Sequence, residues 1–263
     1  MASSEQLQQT AKEIRRVFLG MHYQAKSGHI GSGLSAIDLL TYLYWNHLRE
    51  QDWFILSKGH GASALYATLA VKGIFSMELL KTYYADGTTL PAHPAARAHS
   101  AIPFASGSLG HGLPVACGAA YASLKLKKED RRIVCLLSDG ECNEGSVWEA
   151  ALFAGHHKLK NLTALIDANG IQGFGYTRDV ADLEPFESKW RAFGFATDEI
   201  DGHRFDQIDA AFQKESQEKP RAVICRTVKG KGVSFMENIM DWHYLPMTEE
   251  QYEAAIAQVD KTT

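Results

Sequence analysis

The chain has 263 residues, 45 % of them hydrophobic and 22 % charged, with a formal net charge of −4 at pH 7. That length and balance suit a globular chain whose core is large enough to need neither disulfides nor a structural metal. The acidic balance excludes a basic footprint for nucleic acid or for a membrane surface, so any bound phosphate must be held locally by backbone N–H groups, a metal and a few histidines.

Leu7, Ala11, Ile14, Phe18 and Met21 recur at steps of four and three, which predicts an amphipathic helix at the start. The polar N-terminus lacks a signal-peptide core and no apolar run reaches membrane-spanning length, so a cytoplasmic protein without a membrane partner is expected. The glycine-rich break KSGHIGSG (26–33) precedes a second helix-like stretch, LSAIDLLTYLYW. A short apolar run, a turn carrying His60 and a helix closing near Gly73 follow. Residues 86–108 are rich in Gly, Pro, Ala and Ser and read as an irregular loop, after which GSLGHG opens a small-residue helix. Cys117, Cys135, Cys142 and Cys225 have neither a CxxC pair nor zinc-like spacing, and are expected to be reduced and structural.

The centre of the chain is the most informative part. IVCLL (133–137) and LTALI (162–166) are continuous apolar runs, as expected of strands buried on both faces. A helix from about Val147 to His157 lies between them, which makes a right-handed parallel βαβ unit. A further strand, AVICR (222–226), completes the signal. The predicted fold is α/β, with three layers and a mostly parallel sheet carrying helices on both faces. No repeat or linker divides residues 1–263, and a single domain is expected.

Ligands of parallel α/β sheets collect at the carboxyl ends of the strands. Asp139 stands just past the first central strand and Asn169 just past the second. A carboxylate and an amide oxygen on one sheet edge suit Mg²⁺, a hard cation that completes its shell with phosphate oxygens and water. Gly140 and Gly145 let backbone N–H groups approach a phosphate at a helix N-terminus. The competing reading is that SDG and DANG are only turns, since Asp, Asn and Gly dominate turns.

SDGE, with Asn169 thirty residues beyond Asp139, resembles the thiamine-diphosphate motif, and SDGECNEGSVWEAALFAGHHKLKNLTALIDANGIQ resembles the transketolase family in particular. KSGHIGSG, ILSKGHGASALYA, LPAHP, SGSLGHGL, and KGKGVSFMEN followed by WHYLP extend the resemblance over nearly the whole chain. It implies the thiamine-diphosphate-binding fold, with Asp139, Asn169 and the Ile171 carbonyl as Mg²⁺ ligands; Ca²⁺ and Mn²⁺ are the expected substitutes. Gly140 would donate its N–H to the diphosphate, while His60, Gly107, Leu109, Glu141 and His243 would line the cofactor. His29, His93 and His243 would act on the sugar as hydrogen-bonding and proton-transferring groups, work that suits a side chain titrating near neutrality. His22, His47, His99, His156, His157 and His203 are expected to be structural, and His111 stands where the family commonly has glutamine. Glu144 and Glu149 match acidic interface residues, although a helix N-terminus alone favours glutamate.

The resemblance also marks what the chain lacks. In the family, the thiamine ylid forms with the help of a glutamate from a pyrimidine-binding domain, and no sequence here matches that domain or the C-terminal one. The implied protein is therefore the diphosphate-binding (PP) half of a split transketolase, which would pair with a separate C-terminal subunit to form a dimer of heterodimers. It would transfer a two-carbon ketol unit from a ketose to an aldose. Gly173, Phe174 and Gly175 replace a bulky aliphatic residue followed by Asp-Gly, and the loop before Asp52 is short; both point to an unusual sugar or sugar nucleotide. The competing functions are a component of an α-keto acid decarboxylase or dehydrogenase, a nicotinamide-binding protein suggested by Gly31-Ser-Gly33, and a regulatory subunit without cofactor. Three histidines suited to a polyhydroxy substrate favour ketol transfer over the first. The absence of a strand before Gly31 disfavours the second, and intact Asp139, Asn169 and His60 disfavour the third.

Overall fold

The computed structural model describes residues 1–95, 99–214 and 218–261. In chain order the elements are α1 (Ser4–Ala25), α2 (Ile30–Tyr42), β1 (Trp53–Leu56), α3 (Ala62–Val71), α4 (Met77–Leu80), α5 (Gly112–Tyr121) and β2 (Ile133–Ser138). Then come α6 (Gly145–His156), β3 (Leu162–Ala168), β4 (Ile171–Gln172), β5 (Gly175–Tyr176), α7 (Thr177–Val180) and α8 (Phe186–Ala192). The chain continues with β6 (Ala196–Asp201), α9 (Phe205–Gln213), β7 (Arg221–Arg226) and α10 (Glu249–Lys261).

Five strands form one parallel sheet in the order β1-β2-β3-β7-β6, while β4 and β5 make a separate antiparallel hairpin. Strand geometry sends successive side chains to opposite faces. Val134, Leu136, Leu165 and Val223 accordingly join the helices of α1, α2 and α3 in one core, whereas Ile133, Cys135, Leu137, Ile166 and Ile224 join α5, α6 and α8 in the other. Every residue of β2 is buried, which explains why its sequence is a continuous apolar run rather than an alternating one. The expected three-layer α/β architecture is present.

Helix α1 begins at Ser3, whose hydroxyl accepts from Gln6 N–H while the Gln6 side chain returns to Ser3 N–H. This capping box satisfies two orphan amide groups, and Lys26 in the left-handed conformation ends the helix. The Leu7–Ile14–Phe18 stripe predicted from periodicity is buried, and the helix packs on α2, α3 and α10.

Hydrophobic patterning does not reveal the edge strand β6. Its sequence ATDEID is polar and half-exposed, so it offers no apolar run. It forms because β7 has an open side, and Arg226 of β7 pairs with Glu199 of β6 across the edge at 3.0 Å. All four cysteines are buried and free; burial pushes the Cys117 thiol up to about 12 and the other three well above the usual range. Among the described residues no helix is long and apolar enough to cross a membrane.

Candidate functional site

Strands β2 and β3 are hydrogen-bonded neighbours in register, with Ser138 opposite Asp167. Asp139 and Asn169 therefore leave the sheet at the same edge, as the sequence predicts. There they line a cavity of about 480 Å³ together with His29, His60, His93 and His243. Gly107, Leu109, Gly140 and Ile171 line the same cavity. All the predicted site residues except Glu141 are thus brought together.

Glu141 turns inward. It is fully buried, and its carboxylate accepts from Ser57 Oγ, from Gly110 N–H at 2.9 Å and from Ser138 N–H at 3.4 Å. It ties the ends of β1 and β2 to the segment before α5 and does not line the cavity. Burial pushes its pKa up, against those hydrogen bonds. Glu144 lines the cavity, Glu149 is exposed on α6, and His111 is exposed ahead of α5.

The acidic end is built around Asp139. Its Oδ2 accepts from Gly170 N–H and Thr177 Oγ, each at 2.8 Å. Its Oδ1 is buried and, among the described residues, has no hydrogen-bond partner. An orphaned buried carboxylate oxygen costs about 1–3 kcal/mol unless something compensates it. Asn169 Oδ1 accepts only from Ile171 N–H, at 3.2 Å within its own loop, and the Ile171 carbonyl accepts from Lys229 Nζ at 3.0 Å. Burial raises the Asp139 pKa, against the hydrogen bonds from Thr177 and Gly170.

The opposite wall is a cluster of imidazoles. His29 lies 5.1 Å from His243, 5.7 Å from His60 and 6.1 Å from His93 between ring centroids. His60 and His243 are 5.9 Å apart. His29 adopts a left-handed backbone at the start of α2, and its N–H donates to the His243 carbonyl at 3.0 Å, which joins the SGH and WHY segments. Burial lowers the pKa of all four rings, that of His243 to about 3, with neighbouring Lys229 adding to the effect on His243 and His29. The lowered pKa values favour the neutral rings, which can both donate and accept a hydrogen bond.

Two buried lysines escape sequence reasoning, because lysine ordinarily reads as a solvated surface residue. Lys229 Nζ sits 2.7 Å from His243 Nδ1, and its pKa is lowered to about 8 by burial and by Lys58. Lys58 Nζ donates to Asp167 Oδ2 at 2.5 Å and to the Ser32 carbonyl at 2.9 Å, with both ionic side chains fully buried. The TVKG and SKGH contexts are the available signals. His203 has the structural role expected of it: Nδ1 donates to Asp38 and Nε2 accepts from Val228 N–H, holding the loop that carries Lys229.

The transketolase family, described by its thiamine diphosphate binding domain, matches residues 6–260. The chain belongs to that family. It is 41 % identical over 266 residues to a 6-deoxy-6-sulfo-D-fructose transketolase subunit of Clostridium sp. strain MSTE9, covering 97 % of this chain and 96 % of that one. It is 39 % identical over 268 residues to an apulose-4-phosphate transketolase subunit of Phocaeicola vulgatus, with 98 % and 95 % covered. Among solved structures, Campylobacter jejuni transketolase superposes with a TM-score of 0.92 at 30 % identity, covering 98 % of this chain. It covers 43 % of that transketolase, so the chain spans under half the length of the full enzyme. Leishmania mexicana transketolase gives a TM-score of 0.90 at 26 % identity, with 99 % and 42 % covered.

Proposed function

We propose that this chain is the diphosphate-binding (PP) subunit of a transketolase that moves a two-carbon ketol unit from a modified or phosphorylated ketose to an aldose. The orphaned Asp139 Oδ1, in a cavity that Asn169 and Ile171 also line, is the observation that carries this reading. Three hard oxygens of this kind fit Mg²⁺, with Asp139 supplying the charge and the other two completing the protein's share of the shell. A single carboxylate suits a cation that also takes diphosphate oxygens, and Lys229 and the Gly140 N–H supply further positive character for that anion. Thiamine diphosphate, once bound, supplies an electron sink for cleavage of the bond beside the ketose carbonyl.

This chain's own residues bind and orient the sugar. With Lys229 charged and donating to His243 Nδ1, the neutral imidazole keeps its proton on Nε2 and offers it to the cavity. His29 and His93 add neutral rings that bind sugar hydroxyls and carry protons between them. A cluster of hydrogen-bonding rings suits a polyhydroxylated substrate better than a simple α-keto acid, and two of the similar proteins are named for modified sugars.

A separate subunit would supply the pyrimidine-binding half of the site. Support comes from relatives of matching length that are named as subunits, and from full transketolases of which this chain covers 43 %. The assembly expected is a dimer of heterodimers with active sites at the interfaces. The test is reconstitution: cofactor binding should require Mg²⁺, and ketol transfer should appear only when the partner is added. Ketol transfer by this chain alone, or failure of the assembled complex to bind thiamine diphosphate, overturns the reading.

A further inference from the structure

Position 173 has no side chain, and another residue occupies the space beside it. Tyr244 donates its hydroxyl to the Gly173 carbonyl at 2.6 Å, and a Cβ built on Gly173 would lie 2.9 Å from that oxygen and 3.6 Å from His243 Nε2. Any residue but glycine at 173 must displace the phenol. The other end of Tyr244 is held as firmly. Its N–H donates to the Asp241 carbonyl at 3.0 Å, and its own carbonyl packs so closely on Gly28 that no Cβ fits there. One residue therefore spans the gap between the loop presenting His29 and the β4–β5 hairpin, with its ring 4.7 Å from that of His243.

We propose that Tyr244 is a specificity-determining residue of the site: it clasps the β4–β5 hairpin through Gly173 and forms an aromatic wall of the cavity beside His243. Because the phenol hydroxyl is engaged by Gly173, Tyr244 offers the cavity carbon rather than a polar group. Phe174, 89 % exposed at the hairpin tip and lining the same cavity, extends that apolar edge. An open-chain ketose has both kinds of surface, hydroxyls for the imidazoles and C–H groups for the rings. The wall therefore discriminates by the length of the donor beyond its reacting end. This inference rests on the ketol-transfer reading for its substrate, but the clasp itself does not.

Amide hydrogen exchange on the isolated, cofactor-free chain tests the clasp. Loss of one hydrogen bond in Tyr244→Phe should speed exchange across residues 171–176 about five- to tenfold, and Gly173→Ala should do the same. Donor choice is tested in the assembled complex, as the ratio of kcat/KM for a full-length ketose to that for a short hydroxyketo acid. Tyr244→Gly should lower that ratio about tenfold, mostly through the KM of the longer donor, a magnitude typical of lost apolar discrimination. The double variant Gly173→Ile/Tyr244→Gly should recover part of the loss by refilling the wall from the other side. Unchanged exchange in both Tyr244→Phe and Gly173→Ala overturns the clasp, and an unchanged donor ratio in Tyr244→Gly overturns the specificity role. If the wild-type complex transfers no ketol unit, the proposed function and the specificity role fall together, while the exchange result still decides the clasp.

Discussion

Lys229 Nζ lies 2.7 Å from His243 Nδ1 and 3.0 Å from the Ile171 carbonyl, so one buried ammonium joins the imidazole wall of the cavity to its oxygen-rich end. A charged lysine can only donate, so the pairing favours the His243 tautomer with its proton on Nε2. Lys229→Met should leave Nδ1 without a donor, and nitrogen chemical shifts of His243 should change from a single Nε2–H form to a mixture. Cofactor affinity of the assembled complex should fall about 10- to 100-fold, the cost of one to two charge-assisted contacts. An unchanged tautomer would show that the lysine does not orient the ring.

Asp139→Asn separates stability from binding. The carboxylate is buried, its pKa is raised by desolvation, and one oxygen is orphaned. Removing the charge should hold or raise the stability of the ligand-free chain, by up to about 1 kcal/mol, while Mg²⁺-dependent cofactor binding is lost. Thermal denaturation without ligand and calorimetry with it check the two halves. A large drop in the melting temperature would mean that Asp139 serves the fold instead.

The Lys58–Asp167 pair makes the opposite prediction. Both side chains are wholly buried, and Asp167 also accepts from Ser35 Oγ at 2.6 Å and from Thr227 Oγ. Burial opposes ionisation of Asp167, but Lys58 and these hydrogen bonds outweigh it and hold the pKa below the usual range. Lys58→Met or Asp167→Asn alone should cost about 3–5 kcal/mol by leaving a charge uncompensated, and the double variant should cost less than the two added. Urea unfolding of all four proteins gives the coupling; strict additivity would refute it.

Acid should weaken the ligand-free fold through His22. The ring is fully buried, 2.8 Å from Ser63 Oγ and 2.9 Å from Ser27 Oγ, and desolvation lowers its pKa from 6.5 to about 4. A depressed pKa means that the unfolded chain takes the proton first. Its contribution is therefore complete above pH 6.5 and is lost as pH falls toward 4, about 3 kcal/mol in all. His22→Gln should flatten the stability profile in that window, measured as urea midpoints against pH. A wild-type profile that is already flat there would contradict the assignment.

Much of the fold, and the end of the sheet where the cavity opens, can be read along the chain alone. β2, β3 and β7 are buried along most of their length, so each carries an apolar run, and Asp139 and Asn169 directly follow the ends of β2 and β3. β6 is illegible because an edge strand can be polar and half-exposed, so it leaves no apolar signature. The motifs also name the four histidines, since each sits beside glycine, proline or tryptophan in a recognisable run.

Which groups around those motifs are buried, and what they face, emerges only when distant segments pack. Glu141, Lys58 and Lys229 carry the residue types of solvent-exposed positions, and their burial follows from the packing of segments around β1, β2, β3 and β7. The Tyr244–Gly173 contact joins residues 71 positions apart and depends on where two loops come to rest. Hydrophobic periodicity is written locally along the chain. The partners of a buried charge or of a missing side chain are set by long-range packing, which local patterning does not encode.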